Sequence, residues 1–212
     1  MIDFYACCGE EPTEGAAACF AAPAGIVPAI SMIGERLDQP AISRPRCLRI
    51  ARHESAHAVL ALIAGVHVEH IEIDPACICR TAQFDGSGRV AFLLAGPAAD
   101  AWHRSAIAGM SEEAIKPWIA GIRMLRGGSC DHCRAIRSAL VETRHADDAT
   151  VIAAFRHHER LAGLIVRHPA VWAAICDIAD RLMAAGSLDG ASATEIALSH
   201  INLAEFRPFL ES

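Results

Sequence analysis

The stretch Cys47–Gly65, CLRIARHESAHAVLALIAG, decides how this chain is read. Apart from Arg49, Arg52 and Ser55, its only polar side chains are His53, Glu54 and His57, set inside an otherwise apolar run. Burying a carboxylate and two imidazoles is costly unless they are paired or bind a metal, and no lysine or arginine follows one turn later. His53 and His57 are four residues apart, so on a helix they share one face and can direct two nitrogens at a single ion. Glu54 then sits beside the ion rather than on it, where a carboxylate can take a proton from an attacking water. The pattern His-Glu-x-x-His thus offers two metal ligands and a general base.

Around this segment the periodicity predicts a mainly α chain. Ser43 or the Arg44-Pro45 turn starts a helix that runs to about Ala64, with Gly65 as its left-handed stop. VHVEHIEID, residues 66–74, alternates like a strand, the one small β element expected. A Gly/Ser turn at 86–88 leads into RVAFLLAGPAADAWHRSA, which suits a helix interrupted or restarted near Gly96-Pro97. Further helices are expected at roughly 111–125, 129–145, 148–166, 170–185 and 191–203. Residues 1–43, rich in Ala, Pro and Cys, read as an N-terminal arm, and 44–212 as one folded domain.

Bulk properties narrow the function. With 212 residues and 53% hydrophobic content the chain can bury one substantial core. A formal charge of −6 and the lack of any Lys/Arg-rich run argue against nucleic acid or an anionic membrane surface as partner. The apolar stretch from Ala16 to Gly34 carries Pro23 and Pro28 and follows the acidic GEEPTE, which disfavours a membrane span. Nine scattered cysteines, and an N-terminus without the basic region of a secretory signal, point to a reduced, cytoplasmic protein.

A catalytic zinc needs a third protein ligand and one open position. The extended metzincin pattern would place Gly and His at 60 and 63, where Leu60 and Ile63 stand. An acidic residue must therefore come from elsewhere in the chain. Asp131 in RGGSCDHCRAIRSAL, just inside a helix after a Gly-Gly turn, is the best placed, with Ser129 as the expected cap; Glu112 and Glu113 are rivals. Cys130 and Cys133 form a Cys-x-x-Cys around Asp131, readable as a redox pair, as half a zinc knuckle or as plain loop thiols. No second Cys-x-x-Cys exists, and Cys77-x-Cys79 is the only nearby partner for it. His67 and His70 fall on opposite strand faces, and HHER at 157–160 reads as a solvated helix face.

Taken together, three segments resemble the FtsH-type zinc peptidases. IARHESAHAVLALIAGVHVEHIEIDP is similar to their active-site helix and following strand, LLAGPAADAW to their small-residue helix, and GGSCDHCRAI to the Gly-x-Ser-x-Asp-x-x-x-Ala segment. The likeness covers roughly residues 46–145. It implies a helical, zincin-like peptidase domain with Zn2+ on His53, His57 and Asp131 and with Glu54 as the catalytic base. Ala56 stands where the family carries glycine, and the sequence has no Gly-x-x-x-x-Gly-Lys-Ser/Thr loop. The expected activity is therefore ATP-independent cleavage of peptides or unfolded segments, by the chain alone, as a homo-oligomer or with a separate partner protein. The alternative is a catalytically silent, zinc-stabilised binding or regulatory protein.

Overall fold

A computed structural model describes residues 47–74, 77–84, 88–104, 111–124 and 130–211. Among them the chain forms helices α1 (Leu48–Ile63), α2 (Arg89–His103), α3 (Glu112–Arg123), α4 (Asp131–Glu142), α5 (Asp148–Arg167), α6 (Pro169–Ala185), α7 (Gly190–His200) and α8 (Leu203–Glu211). Three strands, β1 (Val68–Glu72), β2 (Ile78–Thr81) and β3 (Ser187–Asp189), make an antiparallel sheet in the order β2-β1-β3. The expected arm over 1–43 lies outside the described residues.

Helix α1 is the centre of the fold. Ala51 and every residue from His53 to Ile63 are buried, so this helix has no solvent face over three turns. It packs against α2, α6, α7, α8 and the β1-β2 edge of the sheet. Val59, Leu60 and Ile63 are fully buried, each worth about 1.5–3 kcal/mol of removed apolar surface. The helix begins at Leu48, after Cys47, which is extended at φ −120° and ψ 122°; the start expected at Ser43 to Pro45 lies outside the described residues. Its end matches the expectation. Gly65 takes φ +76°, its N–H donates to Leu62 O at 3.0 Å and Val66 N–H donates to Ala61 O at 2.9 Å, closing the helix with a Schellman motif.

Several expectations need correction. Helix α2 runs unbroken through Gly96-Pro97, because losing one backbone donor at Pro97 is outweighed by burial of Val90 to Gly96 and Ala98 to Ala101. The single β element becomes three strands, since β2 and β3 are too short to show a period of their own. The helix expected over 191–203 stops at His200, where Ile201 turns extended, and α8 follows. Asn202 starts α8: its Oδ1 accepts from Ala204 N–H at 3.3 Å and its Nδ2 donates to Glu205 Oε1 at 3.0 Å. HHER is not wholly a solvated face. His158 is buried, with Nε2 3.0 Å from both carboxylate oxygens of Glu142, which ties α5 to the end of α4.

No single helix among the described residues is long and apolar enough to cross a membrane. The sheet is locked to α7 by Gly190, where an added Cβ would stand 1.7 Å from Val68 O. Gly190→Ala should therefore destabilise the chain by about 3 kcal/mol, the upper end of overpacking costs, in urea unfolding. A shift below about 0.5 kcal/mol would show that α7 is not pressed on β1.

Candidate metal centre

The two histidines project from α1 toward α2 and α4. Each ring has its Nδ1 engaged. His57 Nδ1–H donates to Phe92 O at 2.8 Å, and His53 Nδ1–H donates to Asp100 Oδ2 at 3.1 Å. Asp100 is a buried carboxylate on α2, held in turn by Arg49 Nη1 at 2.8 Å. These partners fix both tautomers with Nε2 as the remaining ring nitrogen, the arrangement that orients a metal-binding imidazole.

The two Nε2 atoms lie 3.2 Å apart, and Asp131 Oδ2 completes the triangle at 2.9 Å from His53 and 3.3 Å from His57. Two ligand atoms on one tetrahedral zinc, each about 2.0–2.1 Å from it, stand ~3.3 Å apart. The donor set of two nitrogens and one carboxylate oxygen therefore fits a divalent ion in both spacing and chemistry. Among the described residues, His53, His57 and Asp131 are the group whose ligand atoms converge in this way, within 4.8 Å of one another. This buried cluster could hold a metal ion.

Asp131 reaches the rings because α4 begins with it. Cys130 takes the N-cap position in an extended conformation, and its Sγ accepts from Cys133 N–H at 3.4 Å. The cap is thus Cys130 rather than Ser129, which lies outside the described residues, as does the Gly127-Gly128 turn. Behind Asp131 the helix buries Cys133, Ala135, Ile136, Ala139 and Leu140, packing against α2, α3 and α5. Glu112 and Glu113 stand exposed in the first turn of α3 and do not join the cluster.

Gly96 is the residue whose side chain the site forbids. A Cβ there would come within 2.4 Å of His53 Nε2 and 2.5 Å of His57 Nε2. Only a glycine lets the α2 backbone pass the ring edges at this distance without filling the space in front of the nitrogens. Neither Gly96 nor Asp100 stands out by spacing in the sequence. The available signal was a lone carboxylate inside the small-residue run AGPAADA, which an apolar helix does not need.

Electrostatics follow the geometry. Burial opposes charge on His53, but hydrogen bonds to Asp100 and Asp131 and the nearby Glu54 carboxylate overcome it and hold its pKa up at about 10. Burial likewise works against charge on Asp131, yet the two imidazoles keep its carboxyl well below the usual range. A cation entering the site must therefore displace a proton from His53, so its uptake strengthens as pH rises toward that value. Glu54 is buried beside the cluster. Desolvation pushes its pKa up, while His57, His53 and a hydrogen bond from the backbone N–H of Cys79 on β2 pull the other way.

No protein-family model matches this chain, and no curated protein matches it.

Two substitutions test the cluster through metal content alone. Gly96→Ala should leave the helical circular dichroism in place and lose the ion, because its methyl group competes for the space between the ring nitrogens. Asp131→Ala should weaken divalent-metal binding, read with added zinc as the probe, by at least about tenfold, as a direct ligand exceeds the effect of an outer-shell partner. Joint replacement of Glu112 and Glu113 by Gln should leave affinity unchanged. Metal retained by both single variants but lost with the glutamate pair would place the ion elsewhere.

Proposed function

We propose that this chain is a zinc metallopeptidase of the FtsH type that cleaves peptides or unfolded segments without drawing on ATP. The observation that carries this reading is the convergence of His53, His57 and Asp131 with a buried Glu54 next to them in sequence and space. A purely structural metal site has no need of a carboxylate in that position. Zinc suits the donor set of two imidazoles and one carboxylate with one position left open.

When bound, zinc supplies a Lewis acid that polarises the peptide carbonyl and the attacking water. The chain's residues do the rest. His53, His57 and Asp131 hold the ion, with Asp100 and the Phe92 carbonyl fixing the rings from behind. Glu54 takes a proton from the attacking water on its carboxylate and delivers it to the leaving amine nitrogen. Its raised pKa brings donor and acceptor forms closer in energy, which suits a group that must do both. The hydrogen bond from Cys79 N–H aims the carboxylate and ties β2 to the reaction site. We place the protein in a reducing, cytoplasmic setting, where thiols rest in the reduced form and a disulfide forms only under oxidant.

Glu54→Gln separates this reading from a silent zinc-stabilised binding protein. The variant should keep its zinc and lose at least about a hundredfold in the cleavage rate of an unfolded test protein, the loss of a general base. Equal cleavage by variant and wild type would remove Glu54 from the reaction. A wild-type chain that holds zinc and cleaves no loose substrate would favour the binding protein.

A further inference from the structure

The metal centre has a pair of sulfur atoms built around one of its ligands. Cys130 and Cys133 occupy the N-cap and third positions of α4, with Asp131 between them as the first helical residue. The two differ in access: Cys130 is half-buried, while Cys133 is fully buried in the face that α4 turns to its neighbours. The Cys130 sulfur is folded back over the helix start, 3.4 Å from the backbone nitrogen of Cys133. An accessible thiol backed by a buried one three residues on, at a helix N-terminus, is the arrangement in which a first sulfur is oxidised and a second resolves it.

We propose that Cys130 and Cys133 form a reversible disulfide whose closure displaces Asp131 and releases the metal, a redox control on the centre. The inference rests on the metal-binding role of His53, His57 and Asp131. Its physical basis is that the bond would join the two residues that flank Asp131 on either side of the helix start. Cys130 is the extended N-cap, and its sulfur accepts a hydrogen bond from the Cys133 N–H at 3.4 Å, a contact that holds the first turn of α4 in the reduced protein. Closing the bond therefore replaces the Cys133 N–H to sulfur contact with a covalent tie and resets the backbone around Asp131. Asp131 sits in that turn, and its Oδ2 meets both rings with separations of 2.9 and 3.3 Å, leaving little slack. The Cys133 side chain that joins Cys130 is fully buried against the neighbouring helices.

The oxidation balances with a peroxide. The Cys130 sulfur attacks one peroxide oxygen, the O–O bond breaks, water leaves and a sulfenic acid forms. The Cys133 sulfur then displaces the sulfenic oxygen, which departs as a second water. Two thiols lose two electrons and two protons to one S–S bond, and the peroxide is reduced to two waters. A dithiol reductant reverses the step by exchange.

The test uses the full chain, reduced and then treated with hydrogen peroxide. Residual thiols are alkylated and disulfides mapped by mass spectrometry, and zinc affinity is read by competition with a fluorescent chelator. We expect a Cys130–Cys133 link, a fall in zinc affinity of about tenfold or more, and full recovery with dithiothreitol. Cys130→Ser keeps an acceptor at the N-cap and should bind zinc like the reduced wild type, with no response to peroxide. Cys133→Ala should also be unresponsive. A link that forms without any change in affinity overturns the proposal while leaving the metal centre intact. So does a loss of affinity in Cys130→Ser equal to that of wild type, which would assign the effect to other thiols. Failure of the reduced chain to bind zinc at all would count against the metal centre itself, and the coupling would fall with it.

Discussion

Everything near the centre of this protein depends on two imidazoles held inside a helix that has no solvent face. His53 and His57 are buried at 8% and 5% exposure, and each must have both ring nitrogens satisfied or bear a desolvation cost. One nitrogen of each is met by α2, through Asp100 and the Phe92 carbonyl. The other is turned to a shared point where Asp131 arrives from α4. Three helices are thereby fixed against one another by a single polar cluster, and Gly96 sets how closely the second of them can approach. Asp100 is itself constrained: Arg49 holds one oxygen, while the other is buried without a hydrogen-bond partner. Such an arrangement is expensive unless a cation draws on the charge that these carboxylates gather.

The charge distribution fits that view. Asp100, Asp131 and Glu54 surround two rings; the carboxylates hold His53 strongly basic, and the imidazoles in turn keep Asp131 strongly acidic. In the proposed reading a divalent ion would replace the proton that His53 otherwise carries, and the same carboxylates that raise its pKa would serve as ligand, positioning group and base. Catalysis on such a site needs the base to be near but not on the ion, and the position next to His53 in an α-helix meets that requirement by rotating Glu54 toward β2. The sheet edge reaches this carboxylate through one backbone N–H, that of Cys79. The Cys130 and Cys133 sulfurs bracket the ligand whose position depends most on a helix terminus.

Much of this was legible in the sequence because it is local. The four-residue spacing of His53 and His57, the stop at Gly65 and most helix positions follow from short-range patterns that tertiary packing did not override. What escaped depends on neighbours distant in sequence. Asp100 and Gly96 gain their meaning only when α2 crosses α1, and His158 is buried only because Glu142 ends a helix beside it. Strands β2 and β3 are three or four residues long and exist through pairing with β1, so no periodicity announces them. Helix α8 did carry a local signal, Asn202 followed three residues later by Glu205, and the running apolar pattern masked it. Asp131 stands out in the sequence by following a Gly-Gly pair and by the family resemblance, whereas its capping residue, Cys130, does not, because cysteine is a rare helix cap.

X-ray absorption at the zinc edge, on full-length reduced protein purified without a histidine tag, tests the central claim most directly. The account predicts about one zinc per chain, with a first shell of nitrogen and oxygen only and the multiple-scattering signature of two imidazoles. Sulfur in that shell would contradict it, placing the ion on the cysteines instead of on His53, His57 and Asp131.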